Sequence, residues 1–357
     1  MDLAETRRAA AAFAEDGARC PLTSLGRGNI NHTSLVLSAG GPFVLQRINE
    51  RVFPEPLVVV ENFVRVTTWL ERATAASGLD FLHARSRCTL SADSHHRDES
   101  GGCWRGQSYL PHRGISQLRN PGEAEELGRV LATFHVLAAG LEKEPLAHPL
   151  PGFHVLPGYL EHYDRLPATG GQGSGDNLFC HRAVVRHRRR ALGLDEAQRR
   201  GALRAGVIHG DPKIDNVLFD DQGRARGLLD LDTVMVGPRH WDLGDCLRSC
   251  CTLGGEEGFA TPPRFSLEIC EAILTGYGRV ATSLFASAES DLVFDGLLAI
   301  AFELGLRFFT DHLRGDIYFR IRERGDNLRR AARQFALVED ILAREGAIRK
   351  VVARTLG

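Results

Sequence analysis

The stretch HGDPKIDNVLFDDQGRARGLLDLD, residues 209–232, decides how the rest of this chain is read. Asp211 follows His209 by two positions, Asn216 follows Asp211 by five, and Asp230 follows Asn216 by fourteen, at the end of a short apolar run. Val207 and Ile208 ahead of it fit a short buried strand, and Gly210 permits a tight turn. Asn216 leads into a second strand, NVLF. The polar tip Asp220, Asp221, Gln222 and Gly223 then reverses the chain, so that Gly227, Leu228 and Leu229 return Asp230 to the side of Asn216. This is the layout of a phosphoryl-transfer centre. Asp211 is placed to accept the proton of an attacking hydroxyl, and the oxygens of Asn216 and Asp230 are hard ligands suited to Mg²⁺ against a nucleoside triphosphate.

Three further stretches work outward from it: FVLQRINERVF at 43–53, LDLDTVMVGPRHWDLGD at 229–245 and ELGLRFFTDHLRGDIYF at 303–319. Together with HGDPKIDN they resemble the aminoglycoside phosphotransferase and choline kinase superfamily, and within it the N-acetylhexosamine 1-kinase group. The resemblance spans most of the chain. It implies an α+β, bilobal, protein-kinase-like fold, with a small β-rich nucleotide-binding lobe over residues 1–110 and a larger, mainly helical catalytic lobe over 111–357. It also implies ATP and Mg²⁺ as cofactors and the anomeric hydroxyl of an amino sugar as acceptor, with Arg307 and Tyr318 on the sugar. His32, Asp211 and Asp232 are counted with the acceptor, and Asp232 with a second metal. His209 and Asp242 stand behind them as supports of the catalytic loop. Adenine is expected at the backbone of Tyr109 and Leu110, where the small lobe runs into the large one. Other small alcohols, such as an aminoglycoside or a choline-like compound, and a non-catalytic nucleotide-binding protein are the competing readings.

Near the start, LTSLGRGNINHTSLVLSAGGPFVLQRIN reads as strand, glycine loop, strand, turn and strand. Gly26 and Gly28, with Asn29 and Asn31, would let backbone N–H groups approach phosphate oxygens. A lysine on the third strand would hold those phosphates in a kinase and pair with a glutamate on the next helix. Gln46 and Arg47 stand there instead. Strand alternation sends them to opposite faces, and the sequence leaves open which one faces the nucleotide. The helix expected over 55–73 offers Glu61 or Glu71 as the acidic partner.

The remainder sets bounds. With 357 residues, 43% hydrophobic and 25% charged, the chain is long enough for two lobes and a sizeable core. A net charge of -1 gives no global electrostatic case for nucleic acid or an anionic membrane. No apolar run reaches the ~20 residues that span a bilayer, and the amino terminus lacks a signal-peptide layout, so a cytoplasmic location is expected. Eight cysteines are too sparse for a disulfide scaffold, and Cys246, Cys250 and Cys251 are read as small core residues. His135 is expected to be a buried, satisfied histidine beside an apolar helix stripe. Residues 148–177 are rich in Pro and Gly, and GGQGSGDN at 170–177 reads as a flexible surface loop.

Overall fold

Gly41, at φ 103°, closes a tight turn between β2 (His32–Ser38) and β3 (Gly41–Arg47), and this hairpin founds the amino-terminal sheet. The structure, a computed structural model, describes residues 3–25, 30–112, 114–115, 117–144, 146–167, 175–255, 258–285 and 287–357. Ahead of the hairpin come α1 (Leu3–Ala11) and β1 (Leu22–Ser24). After it come α2 (Pro56–Ser77), the two-residue strands β4 (Ser86–Arg87) and β5 (His96–Arg97), and β6 (Cys103–Ser108). The antiparallel sheet runs β1-β2-β3-β6-β4, with β5 also on β6. One face of the sheet buries Val36, Phe43, Leu45 and Trp104 against Ala9, Ala10 and Phe13, which gives the lobe its own small core.

The opposite face looks toward the rest of the molecule, and α2 joins it there. Pro56 starts α2 within its first turn, and Gly78, at φ 69°, caps its end on Thr74 O. Its Phe63, Val66 and Leu70 belong to the main core of the large lobe. Glu61 on this helix is exposed, while Val59, Asn62 and Phe63 are buried.

The larger lobe is helical. Asn120 caps α3 (Pro121–Leu137) by accepting from Glu123 N at 3.0 Å. Next are α4 (Leu156–Asp164), α5 (Asp176–Ala191) and α6 (Gly193–Arg199). The helix α4 lies inside the Pro- and Gly-rich stretch: Pro157 serves as an early helical residue, and burial of Leu156 and Leu160 outweighs the surrounding glycines. The catalytic region consists of β7 (Ala205–Ile208), β8 (Val217–Phe219), β9 (Ala225–Leu228) and β10 (Met235–Pro238). Here β8 pairs with β9 and β7 with β10, both antiparallel. Then follow α7 (Arg239–Cys250), α8 (Leu267–Ala281), α9 (Ser287–Ser290), α10 (Val293–Leu313), α11 (Asp326–Ala343) and α12 (Glu345–Leu356). α7 and α10 approach closely at Gly244 and Gly296, where a Cβ would collide with the backbone carbonyl of the facing helix.

All eight cysteines are free, and Cys246 and Cys251 are buried. Among the described residues, no helix is long and apolar enough to cross a membrane.

Candidate active site

β7 delivers His209, Gly210 and Asp211 into the space between the lobes, and nearly every polar group of that turn is tied down. Gly210 has φ 86°, and a Cβ there would strike Thr233 O, so the position requires glycine. The buried Asp242 carboxylate accepts from His209 N and Gly210 N, both at 2.7 Å, and from His135 Nε2 at 2.8 Å. His135 Nδ1 in turn accepts from the Tyr277 hydroxyl at 2.7 Å. Burial lowers the His135 pKa and keeps the ring neutral. Burial also works against the Asp242 charge, but the bonds from His135 and His209 outweigh it and hold the carboxyl below its ordinary value. His209 Nε2 donates to Leu229 O at 2.8 Å, and Thr233 Oγ1 donates to His209 O at 2.8 Å. The last carbonyl, Gly210 O, accepts from His154 Nε2 at 3.0 Å.

The reactive side chains converge in front of this turn. Asp211 Oδ2 accepts from Lys213 Nζ at 2.5 Å and from Asn216 Nδ2 at 3.2 Å. Asn216 Nδ2 also donates to Asp211 O at 2.8 Å, which leaves Oδ1 as its oxygen for a ligand. Asn216 O accepts from Leu229 N at 2.8 Å, so the hairpin does carry Asp230 back beside Asn216. Asp230 adopts φ 59°, a left-handed conformation uncommon outside glycine. Enclosure at the cleft floor, then Asp232 and Asp211 alongside, push its carboxyl up to about 7. The residue as a whole is exposed, which tempers the enclosure, and the two neighbouring carboxylates act in the same upward direction against Lys213 and Arg105.

Asp232 does not continue the strand. Residues 231–233 form a 3₁₀ turn, so strand alternation does not put Asp232 on the face of Asp230. It is buried, and both oxygens are engaged from the other lobe: Asn31 Nδ2 donates to Oδ2 at 2.6 Å, and Arg105 Nη2 donates to Oδ1. The expectation of a second metal or an acceptor contact at Asp232 therefore meets a carboxylate already committed.

The sheet settles the choice between Gln46 and Arg47. Gln46 faces the cleft, opposite Arg105 in the β3–β6 register, and its Oε1 accepts from Arg105 Nη2 at 2.7 Å and Nε at 3.0 Å. Arg47 lies on the outer face near Glu5 at 3.4 Å and Asp98 at 3.7 Å, which corrects its expected place at the phosphates. His32 is exposed and opposite Arg47 in the β2–β3 register, so it shares that outer face rather than the acceptor side. Glu61 and Glu71 form surface pairs with Arg65 and Arg85, and Phe63 is what α2 sets against the Arg105 guanidinium, 4.4 Å away. Tyr109 and Leu110 are half-buried where the chain leaves β6, and Leu110 O lies 2.8 Å from His112 Nδ1. Gly26, Gly28 and Asn29 lie outside the described residues.

A cavity of about 280 Å³ adjoins the catalytic turn. Phe153 on its wall packs against His154, ring centroids 3.9 Å apart, and His154 holds Gly210. Arg307 projects among Phe153, Tyr159, Tyr318 and Phe319 at 5.2–6.0 Å from each ring. Glu303 lies 3.6 Å from Arg307 and 3.3 Å from His154 Nδ1. Burial opposes the His154 charge, but Glu303 and the Gly210 carbonyl raise its pKa, consistent with both ring nitrogens donating. Asp311 also lines the cavity, but its carboxylate accepts from Ile317 N at 3.0 Å, Tyr318 N at 2.8 Å, Phe319 N at 3.0 Å and Asn327 Nδ2 at 2.9 Å. A larger recess of about 550 Å³ lies between Ala11, Ala12 and residues 89–97, and contains none of these groups.

The sequence reading missed Arg105, Lys213, His154 and Glu303. Lys213 stood in plain view, two residues after Asp211. The other three come from elements distant in sequence.

Among the described residues, no group of three or more His, Cys, Asp or Glu side chains is arranged to hold a metal alone. Asn216 Oδ1 and the Asp230 carboxylate, on adjoining legs of the hairpin, are the two oxygens that could hold a metal. That fits Mg²⁺, which takes one or two protein ligands and completes its shell with phosphates and water.

Comparison with solved structures places this architecture. An aminoglycoside phosphotransferase from Alicyclobacillus acidocaldarius superposes with a TM-score of 0.65 at 15% identity, covering 97% of this chain and 96% of its own. A choline kinase from Cryptosporidium parvum gives 0.59 at 11%, covering 94% and 92%. The GDP complex of aminoglycoside 2'-phosphotransferase-IIIa gives 0.59 at 12%, covering 90% and 93%. The fold is thus kinase-like, with a small sheet lobe and a larger helical one. The family model described as the phosphotransferase enzyme family matches residues 21–281, well over half the chain, and the chain belongs to that family.

Proposed function

We propose that this phosphotransferase uses ATP with Mg²⁺ to phosphorylate the anomeric hydroxyl of an N-acetylhexosamine, N-acetylglucosamine or N-acetylgalactosamine. Asp211 orients the hydroxyl and takes its proton, held by Asn216 and Lys213. Lys213, bonded to the proton acceptor itself, offsets charge on the phosphoryl group as it moves. Asn216 and Asp230 would hold the metal, which would supply neutralising charge to the phosphates. Catalysis is then mostly positioning, and the Asp242, Thr233 and His154 bonds that fix the turn serve it.

The observation that carries the acceptor reading is the charge of the cavity. Arg307 and Arg314 line it, while the oxygens of the one acid in its lining, Asp311, are occupied by four donors, and Glu303 stands behind Arg307 at 3.6 Å rather than in the lining. A cationic acceptor would meet repulsion there. A neutral sugar would stack its apolar face on Tyr159, Tyr318 or Phe319 and turn hydroxyls and the acetamido oxygen to the arginines. The test is nucleotide-diphosphate release with ATP or GTP over N-acetylhexosamines, free hexoses, choline and an aminoglycoside, with phosphorus NMR of the product. A sugar 1-phosphate is expected. Turnover on choline or the aminoglycoside, with none on the sugars, would overturn the acceptor assignment.

A further inference from the structure

The lysine that a kinase sheet presents from its third strand is absent, and a glutamine occupies its place. A neutral amide cannot replace an ammonium by itself. Gln46 does not act alone: its Oε1 takes two hydrogen bonds from Arg105 and a third from Gln107 Nε2 at 3.3 Å. With the oxygen so engaged, the amide can be oriented only one way. Nε2 points along the cleft face of the sheet and donates to Thr33 Oγ1 at 3.1 Å. A second N–H on that nitrogen has no partner among the described residues, and Gln46 is only half-buried.

Arg105 is enclosed, 2% exposed, and its Nη1 has no hydrogen-bond partner. Its counter-charge, Asp232, belongs to the strand-turn that carries Asp230. A buried ion pair of this kind is seldom more stable than apolar residues of the same volume, so its presence calls for another reason. The guanidinium polarises the Gln46 amide through two charge-assisted bonds, which makes the remaining N–H a stronger donor.

We propose that Gln46 and Arg105 jointly replace the third-strand lysine. Gln46 Nε2 is the donor to the nucleotide phosphates. Arg105 is the positioning residue behind it: it supplies the positive charge, fixes which end of the amide faces the cleft, and ties that donor to the metal-binding turn through Asp232. The assignment rests on the cleft being an ATP site.

The test measures the Kd of a non-hydrolysable ATP analogue with Mg²⁺ by calorimetry, alongside thermal melting. In Gln46→Glu a carboxylate takes over the Arg105 bonds, so the protein should melt no lower than wild type while nucleotide binding weakens ~10- to 100-fold, the effect of losing a charge-assisted donor. Arg105→Met should weaken binding by a similar factor. Moving the cation back, in the double variant Gln46→Lys with Arg105→Met, should recover at least about tenfold of that loss, which a purely structural role for Arg105 does not predict. Wild-type affinity in folded Gln46→Glu, or no recovery in a folded double variant, overturns the relay. Gln46→Glu decides the matter should Arg105→Met not fold. If the wild-type protein itself does not bind the nucleotide, the ATP reading fails first, and that result is distinct from a wild type that binds alongside variants that bind equally well.

Discussion

The catalytic turn and the sheet above it face the same space but are organised differently. In the turn, His209, Gly210 and Asp211 are held by partners that follow in the chain within a few dozen residues, Thr233 and Asp242, and by His154. Its charges stay where the motif puts them. In the sheet, the cleft-facing cation stands on β6 beside Gln46 of the third strand, and Asp232, not a glutamate on α2, balances it. A tight loop fixes its residues because each backbone N–H and C=O needs a particular partner, and any shift orphans several buried groups at once. A sheet face asks only that a charge stand somewhere within reach, and neighbouring strands can exchange that duty across a rung.

Four experiments would break or sharpen this contrast. Asp211→Asn should leave nucleotide affinity close to wild type while turnover falls ~10²- to 10⁴-fold, as for loss of a general base; steady-state kinetics and calorimetry together check it. Asp242→Asn, by turning an amide toward N–H groups that need an acceptor, should cost about 3 kcal/mol in denaturant unfolding, far more than removal of the Arg47 charge on the outer sheet face. Asp230→Asn should act in the opposite sense. The folded-state carboxyl, pushed up to about 7, ionises later than it would in the unfolded chain, so the group opposes folding increasingly as the pH rises through that window. Without metal or nucleotide, the variant should melt above wild type at about pH 8, with the gap narrowing toward about pH 4. Melts in a chelator decide it, and a variant less stable than wild type at the higher pH would remove the carboxylate cluster from the argument. Last, Arg47→Ala should change stability by no more than about 1 kcal/mol, as for an exposed ion pair, and leave turnover unaltered. A collapse of nucleotide binding would put Arg47 back in the cleft.

Much of the turn was legible beforehand because its geometry is local. The order His209, Asp211, Asn216, the polar tip at 220–223 and the apolar return suffice to bring Asp230 beside Asn216. Asp242 was also legible, as a carboxylate in the first turn of the helix that follows. The sheet side was not. Whether Gln46 or Arg47 faces inward depends on strand register, and that Arg105 stands opposite Gln46 depends on β6 pairing with β3 across more than fifty intervening residues. Residues 148–177 concealed a helix for another reason: turn-forming residues dominate there, yet Leu156 and Leu160 find a core that local composition does not reveal. His154 went unnoticed with it, since it sits just before that helix.

The Asp311 carboxylate has a consequence for how this protein can change. It shapes residues 317–319 through their backbone N–H groups, and a backbone N–H is the same whatever side chain follows it. The wall of the cavity can therefore be repainted at Tyr318 and Phe319 while its curve is kept. A library built at those two positions can explore new ligands from an intact scaffold, with Asp311 left untouched.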